Sequence, residues 1–100
     1  MLKKLGVNTE GLSPHITSRF GVIDHVFLRY AGREGIITSG NDGQHMLNSL
    51  HYKGRAIDLR TKDLSERTIK AILDDLCKML GPNYDVLFET THIHLEFDPK

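Results

Sequence analysis

The chain concentrates its chemistry in two short stretches. Ser49-Leu50-His51-Tyr52-Lys53-Gly54-Arg55-Ala56-Ile57-Asp58 carries one imidazole and one carboxylate, His51 and Asp58. Glu89-Thr90-Thr91-His92-Ile93-His94 carries one carboxylate and two imidazoles. Pooled, they hold the nitrogen and oxygen donors of a zinc site with one position left open for chemistry. Two imidazoles and one carboxylate at about 2.0–2.2 Å make an ordinary zinc shell, with water as the fourth ligand. The same residues also read as solvated polar groups on edge strands, and the distance in sequence between the two stretches does not choose between the readings.

The elements around these stretches explain how they could meet. A Lys53-Gly54 turn lets the chain fold back, so that His51 and Asp58 aim at one point. From Arg55 to Leu59 the chain alternates: Arg55, Ile57 and Leu59 share one face, Gly54, Ala56 and Asp58 the other. Two very small residues beside Asp58 leave space for a metal or a substrate. A final strand over His92 to Phe97 puts His92, His94 and Glu96 on one face and Ile93, Leu95 and Phe97 on the other. Thr90-Thr91 reads as the turn before it, and Tyr84 to Phe88 as the strand before that.

Upstream, Ser65 caps a helix running to Leu80, with Ile69, Ile72, Leu73, Leu76 and Leu80 on one face and Gly81-Pro82 as its stop. Ser13-Pro14 starts an earlier helix, with Ile16, Phe20, Ile23, Phe27 and Tyr30 as its apolar stripe. Gly21 weakens it by roughly 1 kcal/mol relative to alanine, and Ala31 to Gly35 ends it. Ile36-Ile37-Thr38 reads as a short buried strand, Ser39 to Asn48 as a polar loop, and Met1 to Leu12 as a poorly specified lead-in. His15 and His25 stand apart from the two stretches and carry no expected role.

Composition bounds the rest. One hundred residues, read as 1–100, make a single domain, and thirteen basic residues balance thirteen acidic ones. No basic run supports nucleic-acid binding. Cys77 is the only cysteine, which excludes an intramolecular disulfide and a multi-cysteine zinc cluster. Met1-Leu2-Lys3-Lys4 lacks the apolar core of a signal peptide, and nothing approaches a membrane span. The expectation is a protein cytoplasmic as synthesised, reaching any extracytoplasmic target by another route.

Ser49-x-His51-x-x-Gly54-x-Ala56-x-Asp58 resembles the S-x-H-x-x-G-x-A-x-D signature of the zinc D-alanyl-D-alanine metallopeptidases, which act on bacterial peptidoglycan. Ser-Leu-His-Tyr-Lys-Gly-Arg-Ala-Ile-Asp is more similar still to the N-terminal signalling domain of hedgehog proteins, which shares that zinc fold. The resemblance continues through Thr38-Ser39-Gly40, His45, the second helix and His92-Ile93-His94, covering residues 36–97. It implies an α+β fold: a small antiparallel sheet, two main helices packed on one face and the zinc site on the other.

Carried over by position, the resemblance implies His51, Asp58 and His94 as ligands of one Zn2+, with His92 beside the metal supporting the oxyanion. The carboxypeptidase register, counted three residues on from Glu89, would make His92 the ligand instead. Glu89 is the implied general base. Its spacing to the last histidine is one residue shorter than in hedgehog, so Glu96 stays a second candidate. His45 is implied as a contact to substrate, and Ser49 as a hydrogen-bonding support rather than a nucleophile. Gly54 is read as supplying a turn conformation closed to other residues.

The implied function is hydrolysis of peptide bonds in bacterial peptidoglycan, next to D-alanine, by an enzyme of a bacterium or a phage. Carboxypeptidase members carry an arginine after the Ser-Gly of the preceding strand. Here Ser39-Gly40-Asn41-Asp42-Gly43 has none, which favours an endopeptidase unless Arg33, Arg55 or Arg60 substitutes. Hedgehog's acidic calcium cluster is not reproduced around Asp42, so no calcium is expected. The alternative function is a binding module that keeps zinc for structure alone.

Overall fold

Local chemistry accounts for most of the element boundaries. The structure, a computed structural model, describes residues 1–40 and 54–100. The expected loop over Ser39 to Asn48 therefore lies outside the described residues from position 41 onward. Ser65 caps the longest helix, accepting a hydrogen bond from Thr68 N at 3.2 Å, and the helix runs Glu66–Leu80. Its Ile69, Ile72, Leu76 and Leu80 are buried, as their spacing requires.

The first helix is broken where a single one was expected. Ser13 caps it as read, accepting from His15 N at 3.2 Å, but α1 spans only Pro14–Thr17. Ser18 and Arg19, the latter at φ −99 and ψ 0, form a turn, and α2 then runs Phe20–Ala31. The apolar stripe survives the break because the core tolerates a kink between turns: Ile16, Ile23 and Phe27 are fully buried. Gly32, left-handed at φ 71, closes α2. The helix Glu66–Leu80 is α3.

Five described strands form one sheet in the order β1-β2-β3-β5-β4. These are β1 (Leu2–Lys3), β2 (Ile36–Ser39), β3 (Ala56–Arg60), β4 (Tyr84–Phe88) and β5 (His92–Phe97). The pairs β2–β3, β3–β5 and β5–β4 are antiparallel. The expected antiparallel sheet gains a parallel edge from the lead-in, since Leu2 pairs with Ile36 and Lys3 with Ile37. The sequence specifies this lead-in poorly because a two-residue strand has no periodicity to detect.

Gly54 fastens the lead-in to β3. Its φ is +73, and a Cβ there would lie 2.3 Å from the Gly11 carbonyl oxygen. Ser13 N also donates to Gly54 O at 2.8 Å. Only glycine allows both the left-handed turn and the close approach.

The helices cover one face of the sheet. Ile37, Ile57, Leu59, Ile93 and Leu95 pack with Ile23, Val26, Phe27, Ile72 and Leu76 into one apolar cluster. The alternate residues of β3 and β5 point the other way, and these carry the chemistry. No helix among the described residues is long and apolar enough to cross a membrane.

Candidate metal centre

Pairing between β3 and β5 sets the site. Asp58 lies opposite His94 and Arg60 opposite His92, while Ile57 and Leu59 pair with Leu95 and Ile93 on the helix-covered face. A period of two thus separates the site from the core. On the other side of β3, Ile37 pairs with Leu59 but Ser39 pairs with Asp58. One extra residue of β2, Thr38, is accommodated there as a bulge, a device frequent beside functional sites.

Glu89 arrives through the β4–β5 turn. Its N–H donates to His92 O at 2.9 Å, and Thr91 N donates to Glu89 O at 2.6 Å. Thr90 between them is left-handed, with φ 60. A β-branched residue rarely adopts that conformation. The turn therefore holds Glu89 beside the two imidazoles at some cost in backbone strain.

The side chains converge. His94 Nδ1 donates to Asp58 Oδ1 at 3.0 Å. Glu89 Oε1 lies 3.8 Å from His94 Nδ1 and 3.5 Å from His92 Nε2, and His92 Nε2 lies 3.6 Å from Asp58 Oδ2. Thr91 Oγ1 and His92 Nδ1 share a hydrogen bond at 3.0 Å. With the hydroxyl donating, the ring proton of His92 sits on Nε2 and faces both carboxylates. Glu96 lies on the far side of His94, with Oε1 3.9 Å from Nε2. At that distance its influence on His94 is through charge and not through a hydrogen bond.

Burial divides the carboxylates. The Asp58 side chain is 13% exposed and that of Glu89 53%. Asp58 is fixed in the sheet, whereas Glu89 reaches water. The His94 pKa is raised, chiefly by its hydrogen bond to Asp58, against an opposing effect of burial, with the charges of Asp58, Glu96 and Glu89 adding to the rise. A proton on His94 occupies the position among carboxylates that a cation would take.

Asp58, Glu89 and His94 form a group that can bind a metal ion, with one donor atom from each all lying within 4.8 Å of one another. Neighbouring donors of a tetrahedral shell at about 2.1 Å stand about 3.4 Å apart. The group is thus slightly open, and small side-chain rotations close it. One nitrogen and two oxygens suit zinc, and other divalent ions as well. The structure brings Asp58, Glu89, His92 and His94 together; His45, Ser49 and His51 lie outside the described residues.

His15 and His25 lie on the helical segments α1 and α2. His15 stacks on Phe97 at 4.0 Å between ring centroids, and its carbonyl accepts from Tyr84 Oη at 2.6 Å. His25 is exposed on α2. Lys4 and Lys62, which went unread in the sequence, stand beside the site at a cavity shared with His92. Lysines carry no periodic signal, and Lys4 arrives only through the β1–β2 pairing.

The profile of the Hedgehog amino-terminal signalling domain matches residues 29–96, which is 68 of the 100 residues (96 − 29 + 1). The chain belongs to that family, whose fold is related to that of zinc peptidases. None of the curated proteins compared with it matches.

Proposed function

We propose that the protein is a zinc-dependent peptidase acting on peptide bonds of bacterial peptidoglycan, next to D-alanine. The observation that carries this reading is the half-exposed Glu89 carboxylate at the mouth of the Asp58–His94 pair. A site that kept metal only for structure would have no use for a proton acceptor there.

Asp58 and His94, with His51, would hold the ion. Bound zinc would supply Lewis acidity, lowering the pKa of a coordinated water to around 7 and polarising the substrate carbonyl. Glu89 takes the proton of the attacking water and returns it to the leaving amine. His92 directs its Nε2–H toward the carbonyl oxygen as negative charge develops there. Glu96 lies on the far side of His94, with Oε1 3.9 Å from Nε2, and in this reading adds negative charge beside the ligand while Glu89 acts as the base. The resemblance to peptidoglycan peptidases supports the substrate class, and a bacterium, or a phage that lyses one, is the setting that supplies it.

The family match favours a second reading, a binding module with structural zinc, because the matched family is named for signalling. One experiment separates the two. Purified protein should hold about one zinc per chain and release products from defined muropeptides, read by mass spectrometry. Glu89→Ala should keep zinc and lose hydrolysis by about two to four orders of magnitude. Asp58→Ala and His51→Ala should lose the zinc. Stoichiometric zinc without product from any muropeptide would establish the binding module instead.

A further inference from the structure

Met1 is held at both its amine and its side chain. The α-ammonium donates to Asp24 Oδ2 and, at 2.7 Å, to Glu34 Oε1. The side chain is 4% exposed and packs against the apolar core. Gly35 makes room for it, since a Cβ there would come within 3.0 Å of Met1 Sδ and 3.1 Å of Ile23 Cγ2. Leu2 N then donates to Gly35 O at 2.9 Å and Lys4 N to Ile37 O at 2.8 Å, which lays β1 along β2.

The ammonium ties three segments together. Asp24 lies on α2, and its other oxygen, Oδ1, accepts from Gly35 N at 3.0 Å just before β2. Glu34 lies between α2 and β2. The two carboxylates share one cation, and without it two negative groups would stand side by side, Asp24 largely out of water. The nearby arginines are engaged elsewhere: Arg33 with Asp63 through two bonds of 2.9 Å, and Arg29 at 3.8 Å from Asp75. The amine's pKa is raised, chiefly by its hydrogen bond to Asp24 and then by that to Glu34. Glu34 is held below its ordinary value, chiefly by the same ammonium. A formyl group or a peptide bond on the Met1 nitrogen would make it a neutral amide with a single N–H. Such a nitrogen serves one carboxylate at most and offsets the charge of neither.

We propose that the Asp24–Glu34 pair is a receptor for the unblocked α-amine of Met1, and that β1 docks only once any acyl group on that nitrogen has been removed. The removal is a hydrolysis, the same for a formyl group and for a preceding peptide. Water adds across the amide C–N bond, the acyl carbon leaves as formate or as a peptide carboxylate, and the nitrogen keeps the protons as the ammonium that enters the pair. The consequence reaches the metal centre. Lys4, next after β1, lines the cavity beside His92 together with Arg60 and Lys62. Val7 N donates to Lys4 O at 3.1 Å, and further along the same lead-in Gly11 packs against Gly54. A chain blocked at Met1 keeps the apolar core and loses this wall of the site. The device is independent of the reaction that the site performs.

The test compares the full chain in three forms: with a free Met1 amine, with N-formyl-Met1, and with a Gly-Ser dipeptide joined to Met1. The two blocked forms should unfold at a midpoint about 5–15 °C lower. Their Leu2 and Lys4 amides should exchange with solvent about tenfold faster or more, read by hydrogen-exchange NMR. Asp24→Asn and Glu34→Gln should each lower the midpoint of the free-amine form. In the formyl form the same variants should leave it unchanged or raise it, because the cation they serve is already gone. Glu34 is the more exposed of the two, so its variant reads the pair even where Asp24→Asn fails to fold. Equal midpoints and equal exchange in the three forms would overturn the proposal. An equal loss from Glu34→Gln with and without the formyl group would overturn it too, since the carboxylate would then act independently of the amine.

Discussion

The two faces of strands β3 and β5 are built from alternate residues of the same segments and follow opposite rules. On one, Ile57 opposite Leu95 and Leu59 opposite Ile93 are fully buried under the helices. On the other, Asp58 opposite His94 and Arg60 opposite His92 gather charge. The apolar pairs stabilise by leaving water. The polar pairs crowd carboxylates that repel one another unless a proton or a cation stands between them. A slip of one residue would exchange the faces, so the core also enforces the register of the site.

Truncation on each face should separate stability from metal binding. Ile57→Ala should cost about 2–5 kcal/mol in urea unfolding with chelator present, through lost transfer energy and the cavity left behind. The fraction that remains folded should still take up zinc. Asp58→Ala should cost about 1–3 kcal/mol, mainly by unpairing His94, and should abolish stoichiometric zinc uptake. Full zinc binding in Asp58→Ala, or an Ile57→Ala variant as stable as the parent, would erase the division of labour between the faces.

A pH series sharpens the comparison on the polar face alone. The pKa of His94 is raised by Asp58, with Glu96 and Glu89 contributing. The metal-free protein therefore has this stabilisation in full below the ordinary histidine value of about 6.5. It loses it as pH rises through the raised folded value. Zinc must displace the His94 proton, so the stabilisation added by excess zinc should grow over the same interval. Thermal unfolding across that range should show opposite trends with chelator and with zinc, and Asp58→Asn should flatten both. Parallel trends would mean that His94 does not exchange a proton for the ion.

Legibility from sequence follows how local each cause is. The bounds of β4 and β5 could be read residue for residue, because alternation and the turn at Thr90-Thr91 are local. Ser13 and Ser65 announced their helices by capping chemistry. The face shared by His92, His94 and Glu96 followed from period two, whereas the meeting of the histidines with Asp58 depends on the β3–β5 pairing, which the spacing did not fix and only the family resemblance implied. Three features depend on contacts distant in sequence and left no trace in it. The first helix breaks at Arg19 although its apolar stripe runs through; β1 exists only by pairing with β2; and the cationic cavity is assembled from Lys4, Arg60 and Lys62 on separate segments. The left-handed Thr90 ran against the sequence signal, since nothing about two threonines suggests a positive φ.

That threonine offers the smallest and most diagnostic change. Thr90→Gly removes the penalty of a left-handed β-branched residue, about 1–2 kcal/mol, and adds back up to about 1 kcal/mol of chain entropy. The net change in unfolding free energy should be near zero or slightly stabilising. The same substitution lets the turn sample other conformations, so Glu89 is no longer held beside His92 and His94. If the strain serves the site, hydrolysis should fall several-fold while zinc content and stability hold. If turnover is unchanged, the hydrogen bonds from Glu89 N to His92 O and from Thr91 N to Glu89 O suffice to place the carboxylate, and the strained turn has no part in the difference between the faces.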